Sequence, residues 1–136
     1  MKGDLHKTMK MTPQRIAIMG YLDGNVTHPG AADIYGALHE QFPTMSLATV
    51  YNTMETLKEQ GMVAELSIDP AKKRFDPNVE VHHHLICIAC KKIVDIFTEF
   101  PVGLTENEKH GFEIIGNHVD FYGICGDCMA AGKKKN

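Results

Sequence analysis

Apolar positions in the first half of the chain recur at helical spacing, whereas in the second half they gather into short strand-like runs. Thr12-Pro13 signals a helix start, a hydroxyl cap followed by a proline whose missing N–H costs nothing there. Ile16, Met19, Gly20 and Leu22 then mark one face, and Gly24 stops the helix. After a His28-Pro29-Gly30 turn, a second helix places Ile34, Leu38 and Phe42 inward until Pro43 interrupts it. Ser46 caps a third helix over residues 47–60, with Val50, Met54 and Leu57 at helical spacing and Gly61 as its stop. Alternation follows: Val63, Glu65-Leu66 and Ile68, a polar turn over residues 69–73, then Arg74-Phe75-Asp76. That is a β-hairpin. Three helices and a hairpin predict a winged helix-turn-helix, whose third helix can enter the DNA major groove.

Asp76-Pro77-Asn78 reads as a hinge, dividing the chain into residues 1–78 and 79–136. Beyond it residues 85–88, 93–97, 113–115 and 119–124 are strand-like, and residues 105–110 allow one short helix. The fold class expected is therefore α+β: an N-terminal winged helix-turn-helix followed by a small α/β domain. The second domain has too little apolar sequence for a comfortable core of its own.

At 136 residues and 43% hydrophobic content, the chain can bury a core, and nothing in it is of low complexity. No apolar run reaches the length of a signal peptide or a membrane span, so the expected setting is the cytoplasm. In that reducing compartment paired cysteines favour metal over disulfides. The net charge of −3 is unevenly spread. Residues 1–78 carry eight Lys/Arg against nine Asp/Glu, residues 79–128 carry three against eight, and Lys133, Lys134 and Lys135 follow. Any contact with DNA must come from a local face of the first part.

Cys87/Cys90 and Cys125/Cys128 account for every cysteine. Two CxxC pairs supply the four soft ligands of a closed tetrahedral zinc site, which stabilises structure and does no chemistry. A redox CxxC would sit near a helix start in a βαβ context, but here both pairs follow strand-like segments. In a strand, His82 and His84 project to one face while His83 points away, so two imidazoles can converge on a metal. Spacing alone leaves open a solvated strand edge in a chain with eight histidines. On the third helix Ser46, Thr49, Tyr51, Asn52 and Thr53 offer groups for bases and phosphates, with Arg15 as a further phosphate or minor-groove contact. An exposed polar helix face is the plainer alternative.

Thr12-Pro13-Gln14-Arg15, His28-Pro29, Ser46-Leu47-Ala48-Thr49-Val50-Tyr51, Arg74-Phe75-Asp76, His82-His83-His84-Leu85-Ile86-Cys87 and Cys90 stand in order. Lys92-Ile93-Val94-Asp95 and Tyr122-Gly123-Ile124-Cys125 with Cys128 complete the series. Over nearly its whole length the chain resembles the ferric uptake regulator family, and within it the peroxide-responsive branch. The resemblance implies a homodimeric, metal-dependent regulator of double-stranded operator DNA, with residues 79–136 as the dimerisation and metal-binding domain. It implies structural Zn²⁺ on Cys87, Cys90, Cys125 and Cys128, and regulatory Fe²⁺ or Mn²⁺ on His28, Asp76, His82, His84 and Asp95. It further implies His28 and His82 as the imidazoles oxidised by peroxide. Iron-sensing members carry glutamates at the positions of Asp76 and Asp95, so the aspartates favour peroxide sensing over iron sensing. Val81 and Val102 stand where some members hold an extra metal, which argues against a further site at His83 or His118. A thiol-based redox sensor and a zinc hydrolase or deaminase are the alternatives from other classes. The enzymes lack support, since no HExxH or HxE motif accompanies the cysteines.

Overall fold

A computed structural model describes residues 10–69 and 71–133. The residues before Lys10, Pro70 of the expected hairpin turn, and Lys134 and Lys135 of the basic tail lie outside them. The chain divides into two compact units, Met1–Val79 and Glu80–Asn136.

The first unit contains α1 (Pro13–Leu22), α2 (Ala31–Leu38), α3 (Leu47–Glu59) and an antiparallel pair, β1 (Ala64–Asp69) and β2 (Lys72–Asp76). Thr12 caps α1 by accepting the Arg15 N–H at 3.2 Å, and Ser46 caps α3 by accepting the Thr49 N–H at 3.1 Å. Gly24 and Gly61 adopt the left-handed conformation just past α1 and α3, as their stop positions require. The three helices and Phe75 enclose one core around Ile18, Ile34, Val50, Met54 and Leu57. On α1 it is Ile18 and Leu22 that are buried, while Ile16 is exposed, so the inward stripe is rotated from the one expected. Helix α2 ends at Leu38, short of Pro43; Phe42 still packs against the core from the following turn.

The second unit is a three-stranded sheet in the order β4-β3-β5, made of β3 (His83–Cys87), β4 (Ile93–Ile96) and β5 (Asp120–Gly123). Strand β4 pairs antiparallel to β3, and β5 pairs parallel to it after a crossover holding the short α4 (Glu106–Lys109). The expected strand over 113–115 does not form: Ile115 is 97% exposed and Phe112 73%. An apolar run marks a strand only where a partner edge exists, and β5 takes the edge of β3. A five-residue helix α5 (Gly126–Ala130) was not foreseen; it follows β5 with Cys125 as its N-cap.

Candidate metal centre

The four cysteine sulfurs gather at the ends of β3 and β5, each within 4.8 Å of the others. All four thiols are free, and Sγ of Cys90 lies 3.8 Å from Sγ of Cys125. A disulfide needs about 2.05 Å. Ligands about 2.3 Å from a tetrahedral ion are separated by roughly 3.8 Å, so the spacing fits zinc. Backbone N–H groups of Cys90 (3.5 Å) and Cys125 (3.3 Å) donate to Sγ of Cys87 and hold its pKa down to about 6. Burial, followed by the neighbouring thiols, pushes Cys128 up to about 12. One thiolate is already favoured and another is opposed, so a full set of four thiolates calls for a cation among them. Both pairs lie at strand ends, as expected, and the second also opens a helix, because Cys125 caps α5. Yet all four sulfurs converge across the two pairs, unlike the two sulfurs of a redox CxxC.

In the first unit, β2 secures the loop bearing His28 through three successive residues. Arg74 donates to the His28 and Thr27 carbonyls, the Phe75 N–H donates to the Pro29 carbonyl at 3.0 Å, and Asp76 Oδ2 lies 3.3 Å from His28 Nε2. His28 is fully buried at φ +55°, a conformation costly for a residue with a Cβ. Loop and strand together hold that imidazole against its carboxylate.

In the second unit, His82 precedes β3, with its side chain sharing a face with His84. Asp95, the register partner of His84 on β4, places Oδ1 3.0 Å from His82 Nε2 and 3.4 Å from His84 Nε2. His82 Nδ1 donates to the Glu80 carbonyl at 2.6 Å, since a carbonyl only accepts. A neutral His82 therefore turns a lone pair on Nε2 toward a carboxylate oxygen, an arrangement stabilised by a cation between them. Mixed nitrogen and oxygen donors suit Fe²⁺, Mn²⁺ or Zn²⁺. Phe97 stacks on the His82 ring at 5.2 Å. His83 turns to the other side, where it accepts the Val119 N–H on Nδ1 at 2.8 Å and packs on Phe100. All three histidines are buried, so the run is not a solvated edge.

Ser46, Tyr51 and Asn52 are exposed on α3, and Arg15 and Thr49 line one groove with Lys10, Thr12 and Gln14. Thr53 is corrected: it is buried, with its hydroxyl donating to the Thr49 carbonyl, because position 53 shares a face with Val50 and Leu57. Sequence reasoning also missed Asp120, whose Oδ1 lies 3.5 Å from His84 Nδ1. Its only signal was the alternation over residues 119–122, and the β3–β5 register that aligns it with His84 is not encoded in spacing.

The sequence model of the ferric uptake regulator family matches residues 6–122. The chain is 43% identical over 133 residues to the peroxide operon regulator of Bacillus subtilis, covering 94% of this chain and 88% of that protein. It is 38% identical over 126 residues to the peroxide-responsive repressor PerR of Staphylococcus epidermidis, covering 91% and 84%. Among solved structures, PerR of Streptococcus pyogenes superimposes with a TM-score of 0.52 at 34% identity, covering 93% of this chain and 88% of that one. The Helicobacter pylori ferric uptake regulator gives 0.74 at 20% identity, covering 94% and 87%, a likeness of fold alone. No helix among the described residues is long and apolar enough to cross a membrane.

Proposed function

The chain belongs to the ferric uptake regulator family, and from that premise we propose that it is a homodimeric DNA-binding repressor that needs a divalent metal and is released by hydrogen peroxide. The observation that carries the reading is that buried imidazoles face an aspartate carboxylate in each unit: His28 with Asp76, and His82 and His84 with Asp95. Following what the resemblance implies, we take these five side chains as one ligand set. Ligands drawn from both units favour whichever conformation assembles them, which links metal occupancy to DNA affinity. Residues 1–78 serve as the winged helix-turn-helix, with α3 presenting Ser46, Thr49, Tyr51 and Asn52 to the major groove, Arg15 to phosphate, and β1–β2 as the wing. Residues 79–136 serve as the dimerisation domain, for which the exposed apolar side chains Phe112, Ile115 and Tyr122 provide surface. Cys87, Cys90, Cys125 and Cys128 hold structural zinc.

Ferrous iron, when bound, supplies the one-electron reduction of peroxide beside its ligands, and manganese does not. By the family resemblance His28 and His82 are the rings that take the oxygen: one peroxide converts one ring C–H to C–OH and leaves one water. A ring so altered is a poorer ligand, and the pairing with its aspartate no longer holds the site together.

Two measurements test this. Iron-loaded protein given one equivalent of peroxide without air should gain oxygen on His28 or His82 peptides by mass spectrometry, and manganese-loaded protein should not. Duplex DNA selected from a random pool with manganese-loaded protein should lose at least tenfold in affinity on metal removal. Unmodified histidines would sink the peroxide reading, and metal-independent affinity would sink the repressor.

A further inference from the structure

His84 is flanked by carboxylates on both ring nitrogens. Nε2 faces Asp95 at 3.4 Å, and Nδ1 faces Asp120 at 3.5 Å. Asp120 is held there by the sheet. It is the register partner of His84 in the parallel β3–β5 pair, and the His84 N–H donates to the Val119 carbonyl at 3.1 Å. The Val119 N–H in turn donates to His83 Nδ1, so the residue before Asp120 is tied to two consecutive histidines of the run. Oδ1 of Asp120 is buried and has no hydrogen bond, a costly state for a carboxylate oxygen. The other titratable group nearby is His118, which is 60% exposed and has its Nδ1 4.0 Å away.

We propose that Asp120 is a positioning residue for the regulatory site: its carboxylate takes the His84 Nδ1–H and thereby commits Nε2, on the Asp95 side, as the metal-binding nitrogen. This rests on the ligand set proposed above. A neutral imidazole has one N–H and one lone pair, and without Asp120 either nitrogen could carry the proton. The carboxylate selects the tautomer that binds, limits ring rotation and makes the ligand more basic. The 3.5 Å gap is roughly half an ångström longer than a good N–H···O bond, and a small ring rotation closes it.

The test is Mn²⁺ titration of the full-length, zinc-loaded protein, followed by the paramagnetic resonance signal of free Mn²⁺. Asp120→Asn and Asp120→Ala should weaken Mn²⁺ by about 10- to 100-fold, and Asp120→Glu should return it to within about threefold. Co²⁺ in the same site should show shifted ligand-field bands in Asp120→Asn, with zinc content and melting temperature unchanged. Asp120→Asn is the decisive variant if the alanine form does not fold, because it keeps the side-chain volume. Mn²⁺ affinities within about twofold of wild type together with an unaltered Co²⁺ spectrum would overturn the assignment. A His84→Ala control separates the two levels: if wild type binds Mn²⁺ no better than that control, the regulatory site fails and this inference with it.

Discussion

Among its described residues, the unit ending at Val79 closes eleven buried apolar side chains into one cluster, from Ile18 on α1 to Phe75 on β2. The unit beginning at Glu80 buries Ile86, Ile93, Cys87 and Cys128 among its described residues, and half of these are proposed zinc ligands. Its larger apolar groups, including Ile115, Phe112 and Tyr122, lie exposed. The first unit has the means to fold by burial. The second has a sheet held at one end by sulfurs and in the middle by a packed histidine run, with too little core for independent stability. The difference teaches that metal chemistry and structural stability are separable in one half of this molecule and fused in the other.

Zinc removal is the largest blow that comparison predicts. A strong chelator, or Cys87→Ser, should remove a stabilisation on the order of 10 kcal/mol from the second unit, because ligands that form only in the fold make binding energy into folding energy. Sheet signal in circular dichroism and dimer mass by sedimentation should be lost while the helical signal of the first unit stays. A zinc-free Cys87→Ser protein with an intact sheet would break the contrast.

A cavity in the first core comes next. Ile34 is fully buried, so Ile34→Ala should destabilise that unit by about 2–5 kcal/mol in urea melts. Zinc content should not change. Loss of zinc in this variant would show that the two units do not keep separate accounts of stability.

Legibility in the sequence followed the same line. The helices of the first unit were readable because caps, stops and apolar spacing are local: Thr12-Pro13, Ser46 and Gly61 each act within a turn of their own position. The cysteine set was readable because CxxC fixes two ligands at once. His28 and Asp76 stand 48 residues apart and are joined only when β2 grips the loop, so nothing but resemblance named them. Residues 113–115 were misread because an exposed apolar surface and a buried strand share one composition. The rotated face of α1 was missed because Ile16 and Ile18 are equally apolar, and only packing against α2 and α3 chooses between them. Asp120 escaped because strand register is a long-range choice.

Caps give a smaller and sharper measure of the first unit. Thr12→Ala removes the hydroxyl that accepts the Arg15 N–H, and should cost about 1 kcal/mol in the same urea melts. No change in melting, with α1 still helical, would mean water replaces the hydroxyl without penalty.

The smallest expected effect is also the one that separates the units by pH. Asp33, at the start of α2, accepts the Gly30 N–H at 2.9 Å and pairs with Lys72 of β2 at 2.9 Å. Partial burial acts to raise its pKa, but the Lys72 bond and charge, the Gly30 N–H and Arg74 together bring it below the ordinary 3.8. A carboxylate depressed in the folded state stabilises at neutral pH, and that contribution vanishes as acid passes below its folded pKa. Because both partners are well exposed, Asp33→Asn should cost only a few tenths of a kcal/mol at pH 7 and nothing near pH 2. Cys87 has the same sign in a different window: depressed to about 6, its thiolate contribution is complete above about pH 9 and is lost as pH falls through 6. That window belongs to the metal-free set: bound zinc competes with protons for the thiolates and carries the loss to lower pH. Acidification should still release zinc and the second unit before Asp33, lowered from 3.8, is felt in the first. Urea melts of wild type and Asp33→Asn across that range, with zinc release followed in parallel, would show the order. Zinc retained below pH 4 would overturn it.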